Sequence, residues 1–157
     1  MTRSRRGRLQ TVLAGAAVGA YGLDRLTKFL AQRYLADRAP VDLIPRVVRL
    51  NYTLNSGGAF GLFPRQPWVF FAATIVVCLA IVAGSFRLSS RLTAIGTGLI
   101  LGGAIGNLTD RVLHGPGVSG KVIDFIDFRV WPVFNLADAS IVIGAAVVVL
   151  AGTRRAA

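Results

Sequence analysis

The chain has 157 residues, 54% of them hydrophobic, with 18 Lys and Arg against seven acids and a net charge of +11. A mean hydropathy of +0.60 is too apolar for an ordinary soluble domain and fits a small, single-domain, multi-span membrane protein. The basic residues gather at helix ends and loops, where orientation and anionic lipid explain them better than nucleic acid. A single cysteine and a single histidine allow no internal disulfide and leave a zinc hydrolase without its usual ligands.

The basic start TRSRRGR and the uncharged run Leu9 to Leu23 resemble the opening of a secretory signal peptide. The helical pattern continues unbroken to Leu35, so residues 9–35 are read as a retained first transmembrane helix. Residues 36–67 form the first long connection. Its β-branched and aromatic residues, followed by the turn glycines of SGGAFG, predict a short strand pair over roughly 41–63. An uncharged run from Trp68 to Gly84 predicts a second span over about 68–86. Residues 92–113 and 135–153 are the third and fourth, giving a four-helix membrane bundle, all-α apart from the small β element. Gly98, Gly102 and Gly106 on the third helix, and Gly15 with Gly19 on the first, have the spacing of close helix contacts.

Four spans put both termini on one side. The short flanks there carry Arg3, Arg5, Arg6, Arg8, Arg87, Arg91, Arg154 and Arg155 and no acid, which favours a cytoplasmic location for both termini. Up-down alternation then brings Asp24 and Lys28, Asn107, Asp110 and Arg111, and Asn135 and Asp138 to the opposite face, together with both long loops. Four of the seven acids, Asp110, Asp124, Asp127 and Asp138, fall in one stretch between the last two apolar runs. Ionisable groups at such a boundary are costly without partners and mark a functional site.

The local spacing separates structural from chemical roles. Asp24 and Lys28 are four apart with the acid first, the better order for a helical ion pair. Asn107 shares a helix face with Asp110 and Arg111. Asp24, Lys28, Asp110 and Arg111 are read as structural. Asp138 has no basic residue within a helical turn and opens the last helix, where negative charge is favoured. Paired with a second carboxylate it could activate water against a peptide carbonyl and protonate the leaving nitrogen. Spacing does not choose that partner among Asp110, Asp124 and Asp127.

The stretches DRLTK from Asp24, NSGGAFG from Asn55, GGAIGNLTDR ending at Arg111, VIDFIDF from Val122 and FNLADASIVIG from Phe134 resemble, in order and over nearly the whole chain, the lipoprotein signal peptidase (signal peptidase II) family. The resemblance implies a bacterial membrane aspartyl endopeptidase without metal or cofactor. It would remove the signal peptide of diacylglyceryl-modified prolipoproteins, cutting before the lipobox cysteine. The family's catalytic acids fall on Asp124 and Asp138. Asp24, Lys28, Asn55, Gly57, Asn107, Asp110, Arg111, Asn135 and Ala137 fall on positions that support or line the site. The 41–63 region would be a β-cradle on the outer membrane surface, and the loop after Arg111 would help to cover the site. Membrane lipids and the prolipoprotein are the implied partners, and the active site would face away from the cytoplasm.

Two departures stand out. The HGPGVSGK segment is longer than is typical, which predicts a local change in the covering loop. Leu54 precedes Asn55 where arginine is expected, so Arg46 or Arg49 is expected to take that role. Trp68 and Trp131 are expected as interfacial anchors. The alternative is a small proton-coupled transporter or channel, which would call for acids spread through the bilayer depth and a repeat between halves; the motifs show neither.

Overall fold

The computed structural model describes residues 3–57, 67–116 and 120–156. Four long helices and a small sheet follow in order: α1 (Arg3–Leu35), β1 (Val41–Ile44), β2 (Val48–Asn55), α2 (Pro67–Gly84), a 3₁₀ turn (Ser85–Arg87), α3 (Arg91–Leu113), β3 (Val122–Asp127) and α4 (Leu136–Ala156). Among the described residues, α2, α3 and α4 are long and apolar enough to cross a membrane. The 33-residue α1 carries Asp24, Arg25 and Lys28 within its apolar stretch.

Local chemistry sets the helix ends. Pro67 stands at the first position of α2, where its missing N–H costs no helical bond. Ser90 caps α3 by accepting from the Thr93 N–H at 3.1 Å. Asn135 caps α4 through its side-chain oxygen, which accepts from the Asp138 N–H at 2.9 Å, while Asp138 Oδ2 accepts in return from the Asn135 N–H at 3.3 Å. That reciprocal pair is a capping box built from Asn and Asp.

The central helix is α3, packed against α1, α2 and α4. Its glycines make this possible. A Cβ on Gly98 would strike the Leu13 carbonyl and lie 2.8 Å from Ala16 Cβ; one on Gly102 would strike the Ala17 carbonyl. On the α4 side, Gly96 and Gly144 sit against each other's carbonyls, and a Cβ on Gly96 would come within 2.7 Å of the Gly144 oxygen. Close backbone approach gives dispersion contact where lipid offers no hydrophobic drive. The expected glycine face on α1 is corrected: Gly15 and Gly19 have open space around them. Alanines fill the α1 side of the contact, and glycine is needed only on α3.

The expected strand pair is present as β1 and β2, antiparallel, but the sheet has a third strand. Residues 122–127, read from sequence as part of a loop, form β3, which pairs antiparallel with β2 and sets Thr53 opposite Asp124 and Arg49 opposite Asp127. The other edge of β3 is partly closed by Phe134, which exchanges backbone hydrogen bonds with Ile126 at 2.9 and 3.0 Å. Ile123, Phe125 and Ala31 form a buried cluster with Leu35, Leu50, Tyr52 and Leu136 around it. The sheet is thereby clamped to the end of α1 and the start of α4. Residues 58–63 of the expected cradle, and 117–119 of the expected covering loop, lie outside the described residues.

Candidate active site

The polar residues of α1, α3, β2, β3 and α4 meet at the sheet end of the bundle. Lys28, Asp24 and Asp110 are each fully buried. Lys28 Nζ lies 2.9 Å from Asp24 Oδ2 and 2.9 Å from Asp110 Oδ2, and donates to Asn107 Oδ1 at 2.9 Å. Arg25 pairs with the other oxygen of Asp110. Two acids and two bases therefore balance, as a buried charge cluster requires.

Both acids of this cluster also hold backbone. Asp24 Oδ1 accepts from the Ala137 N–H at 3.0 Å, and Asp110 Oδ2 from the Ile123 N–H at 3.2 Å. The first anchors the start of α4 one residue before Asp138, the second anchors β3 one residue before Asp124. Gly106 leaves the room this needs, because a Cβ there would strike Asp24 Oδ2.

Asp124 and Asp138 are held differently. Among the described residues neither takes part in an ion pair. Asp124 Oδ1 accepts from Asn135 Nδ2 at 2.7 Å and Oδ2 from Asn55 Nδ2 at 2.9 Å. Asp138 Oδ1 accepts from Asn107 Nδ2 at 2.8 Å, and its Oδ2 completes the capping box. Neutral amides thus fix all four oxygens. Asp124 is only 2% exposed, and burial pushes its carboxyl up to about 7; the nearby Asp138 adds to this, while the Asn55 and Asn135 hydrogen bonds oppose it.

Both carboxylates line one cavity of ≈ 980 Å³. Asn55, Asn107 and Arg111 share its polar end, and Trp131, Phe134, Ile141 and Val142 form an apolar wall. Arg111 donates to the Asn107 carbonyl at 3.3 Å and to the Gly57 carbonyl at 3.5 Å, and lies over the Phe70 ring at 5.9 Å. The Gly57 N–H in turn donates to Asn55 Oδ1 at 2.9 Å, fixing which face of that amide points at Asp124. Every site residue singled out from sequence lies in this network or on its backbone.

Three features escaped the sequence reading. Arg25 looks like a solvated neighbour of Asp24, yet it pairs with Asp110, 85 residues away. Arg49 binds Asp127 at 2.6 Å, a pairing readable only once β2 and β3 are in register. This hydrogen bond holds the Asp127 carboxyl below the usual range and commits Arg49 to the sheet. Arg129 pairs with Asp42 at 2.6 Å and ties the loop after β3 to β1.

Residues 16–154 match the family model described as signal peptidase (SPase) II. The chain belongs to the signal peptidase II family. Among similar family proteins, the lipoprotein signal peptidase of Syntrophomonas wolfei is 46% identical over 123 residues, 78% of this chain and 79% of that one. The lipoprotein signal peptidase of Desulfitobacterium hafniense is 42% identical over 127 residues, 79% of this chain and 81% of that one. A bacterial membrane enzyme solved by the in meso method at 2.3 Å resolution superposes with a TM-score of 0.80 at 28% identity, covering 90% of this chain and 87% of that one. Signal peptidase II proteins are membrane peptidases, so the resemblance drawn from the five motifs holds and the transporter alternative falls.

Proposed function

We propose that this signal peptidase II protein removes the signal peptide from diacylglyceryl-modified prolipoproteins, cutting before the lipobox cysteine, with Asp124 and Asp138 as its catalytic pair. One observation carries the assignment: these two carboxylates share a cavity, make no ion pair among the described residues, and have every oxygen oriented by an amide. Asp24, Asp110 and Asp127 are each committed to a base.

The chemistry follows from that asymmetry. Asp138 sits at the N-terminus of α4, where the helix favours an anion, and acts as base toward a water. Asp124, raised by burial to about 7, carries the proton. Water attacks the scissile carbonyl carbon while Asp138 takes its proton and Asp124 protonates the carbonyl oxygen. Collapse of the tetrahedral intermediate returns one proton to Asp124 and passes the other from Asp138 to the leaving nitrogen. Asn55, Asn107 and Asn135 hold the carboxylates, and Asp24, Lys28, Asp110, Arg111, Gly57 and Ala137 hold the asparagines and the backbone.

In this reading the whole chain is one membrane domain crossed by four spans, α1 included, with both termini in the cytoplasm and the carboxylates at the opposite face. The arginine-rich start of α1, with Arg87 and Arg91 flanking the α2–α3 turn and no acid beside them, supports that orientation. The apolar cavity wall suits a substrate whose signal helix and lipid both lie in the bilayer. Trp68 and Trp131, each more than half exposed, suit interfacial anchors. The test is to offer purified protein the same prolipoprotein with and without its diacylglyceryl group. Cleavage confined to the modified form is expected; equal cleavage of both would remove the lipid from the specificity.

A further inference from the structure

At the end of the bundle remote from the carboxylates, a second cavity of ≈ 970 Å³ lies between the first turns of α1 and α3. Arg5 and Arg8 of α1 and Arg91 of α3 form its rim, and Leu9 and Val12 line its depth. This floor is fixed, because Leu9 is buried with Leu13, Leu88 and Ala94, and Val12 packs on the same cluster. Arg5 Nη2 reaches the Ser89 carbonyl at 3.5 Å, and Arg8 Nη2 reaches Ser4 Oγ at 3.3 Å. These contacts are to neutral oxygens.

No acid among the described residues pairs with this charge. Among the described residues the ion pairs engage Arg25, Lys28, Arg49, His114 and Arg129, and none of the three groove arginines. At 1.5 Å per residue, Asp24 lies about 24 Å along α1 from Arg8, and Asp110 about 28 Å along α3 from Arg91. Guanidinium groups bind phosphate oxygens through paired, charge-assisted hydrogen bonds. The apolar floor adds what a soluble anion has no use for, a surface for the carbons next to the phosphate.

We propose that this groove binds the phosphate of an anionic glycerophospholipid, with Arg5, Arg8 and Arg91 on the headgroup and Leu9 and Val12 against the first methylenes. The site would hold a lipid at the end of the bundle opposite the carboxylates, in the leaflet where anionic headgroups meet juxtamembrane bases.

Native mass spectrometry of the full-length protein in neutral detergent tests this, with phosphatidylglycerol, phosphatidylcholine of matched chains, and glycerol phosphate as probes. Wild type should retain phosphatidylglycerol about tenfold better than phosphatidylcholine, the effect of roughly 1.4 kcal/mol, and glycerol phosphate should not compete at equal concentration. Arg5→Gln/Arg8→Gln/Arg91→Gln should lose that preference. Arg6→Gln/Arg33→Gln/Arg87→Gln, with the same change in charge outside the groove, should keep it. Gly7 lines the groove and has open space at its Cβ, so Gly7→Phe should block the lipid with the charge intact. Peptidase activity in detergent should survive in all three variants, which reports their folding. Equal loss in the charge-matched control, retention in Gly7→Phe, or equal competition by glycerol phosphate would each overturn the proposal.

Discussion

Asn135 donates from Nδ2 to Oδ1 of Asp124 across 2.7 Å. The same residue caps α4 and exchanges hydrogen bonds with Asp138, so one side chain links both carboxylates. Asn135→Ala should cost about 1 kcal/mol in stability through the lost cap, and cleavage should fall well beyond what that explains. Because the hydrogen bond lowers the Asp124 carboxyl, its loss should move the alkaline limb of the kcat–pH profile to higher pH. An unmoved limb would leave Asn135 a cap only.

The wild-type profile carries its own prediction. With the Asp124 carboxyl at about 7 and a requirement for its protonated form, kcat should decline as pH rises through about 7. Stability should follow the same sign. The folded value lies above the unfolded one of about 3.9, so the contribution is complete below about pH 4 and is lost as pH rises through about 7. Thermal melts and single-turnover rates from pH 5 to 9 measure both, and Asp124→Asn should flatten this component of the melts.

Asp110→Asn should act first on stability. It leaves Lys28 and Arg25 short of a charge in a buried cluster, and breaking such a pair costs about 3–5 kcal/mol. A lower melting temperature in detergent with residual turnover is expected. An unchanged melting temperature with abolished turnover would put Asp110 in the chemistry instead.

The glycines of α3 separate contact from composition. Gly102→Ala drives a methyl into the Ala17 carbonyl and should lower the melting temperature, whereas Gly15→Ala enters open space and should leave it unchanged. Paired melts of the two variants check this.

Those glycines also show what a single sequence conveys. Small-residue spacing marked the α3 face correctly, but the same spacing at Gly15 and Gly19 carried no contact, because periodicity does not say which face a neighbour occupies. The Asp24–Lys28 pair was legible because it is local, at four residues. Choosing Asp124 over Asp110 and Asp127 was beyond spacing. The choice turns on which carboxylates meet a base, and Arg25 and Arg49 find theirs 85 and 78 residues away. β3 was hidden for a related reason: its acids made it read as loop, and its partner strand lies far upstream.

The measurement that bears most directly on the catalytic assignment is a gel-shift assay with a diacylglyceryl-modified prolipoprotein, comparing wild type with Asp124→Asn and Asp138→Asn. Wild type should cut before the lipid-bearing cysteine. Each variant should stay folded in detergent and lose at least about 10²-fold in rate, the lower end of what one acid–base group supplies. Substantial cleavage by either folded variant would contradict the pairing of Asp124 with Asp138.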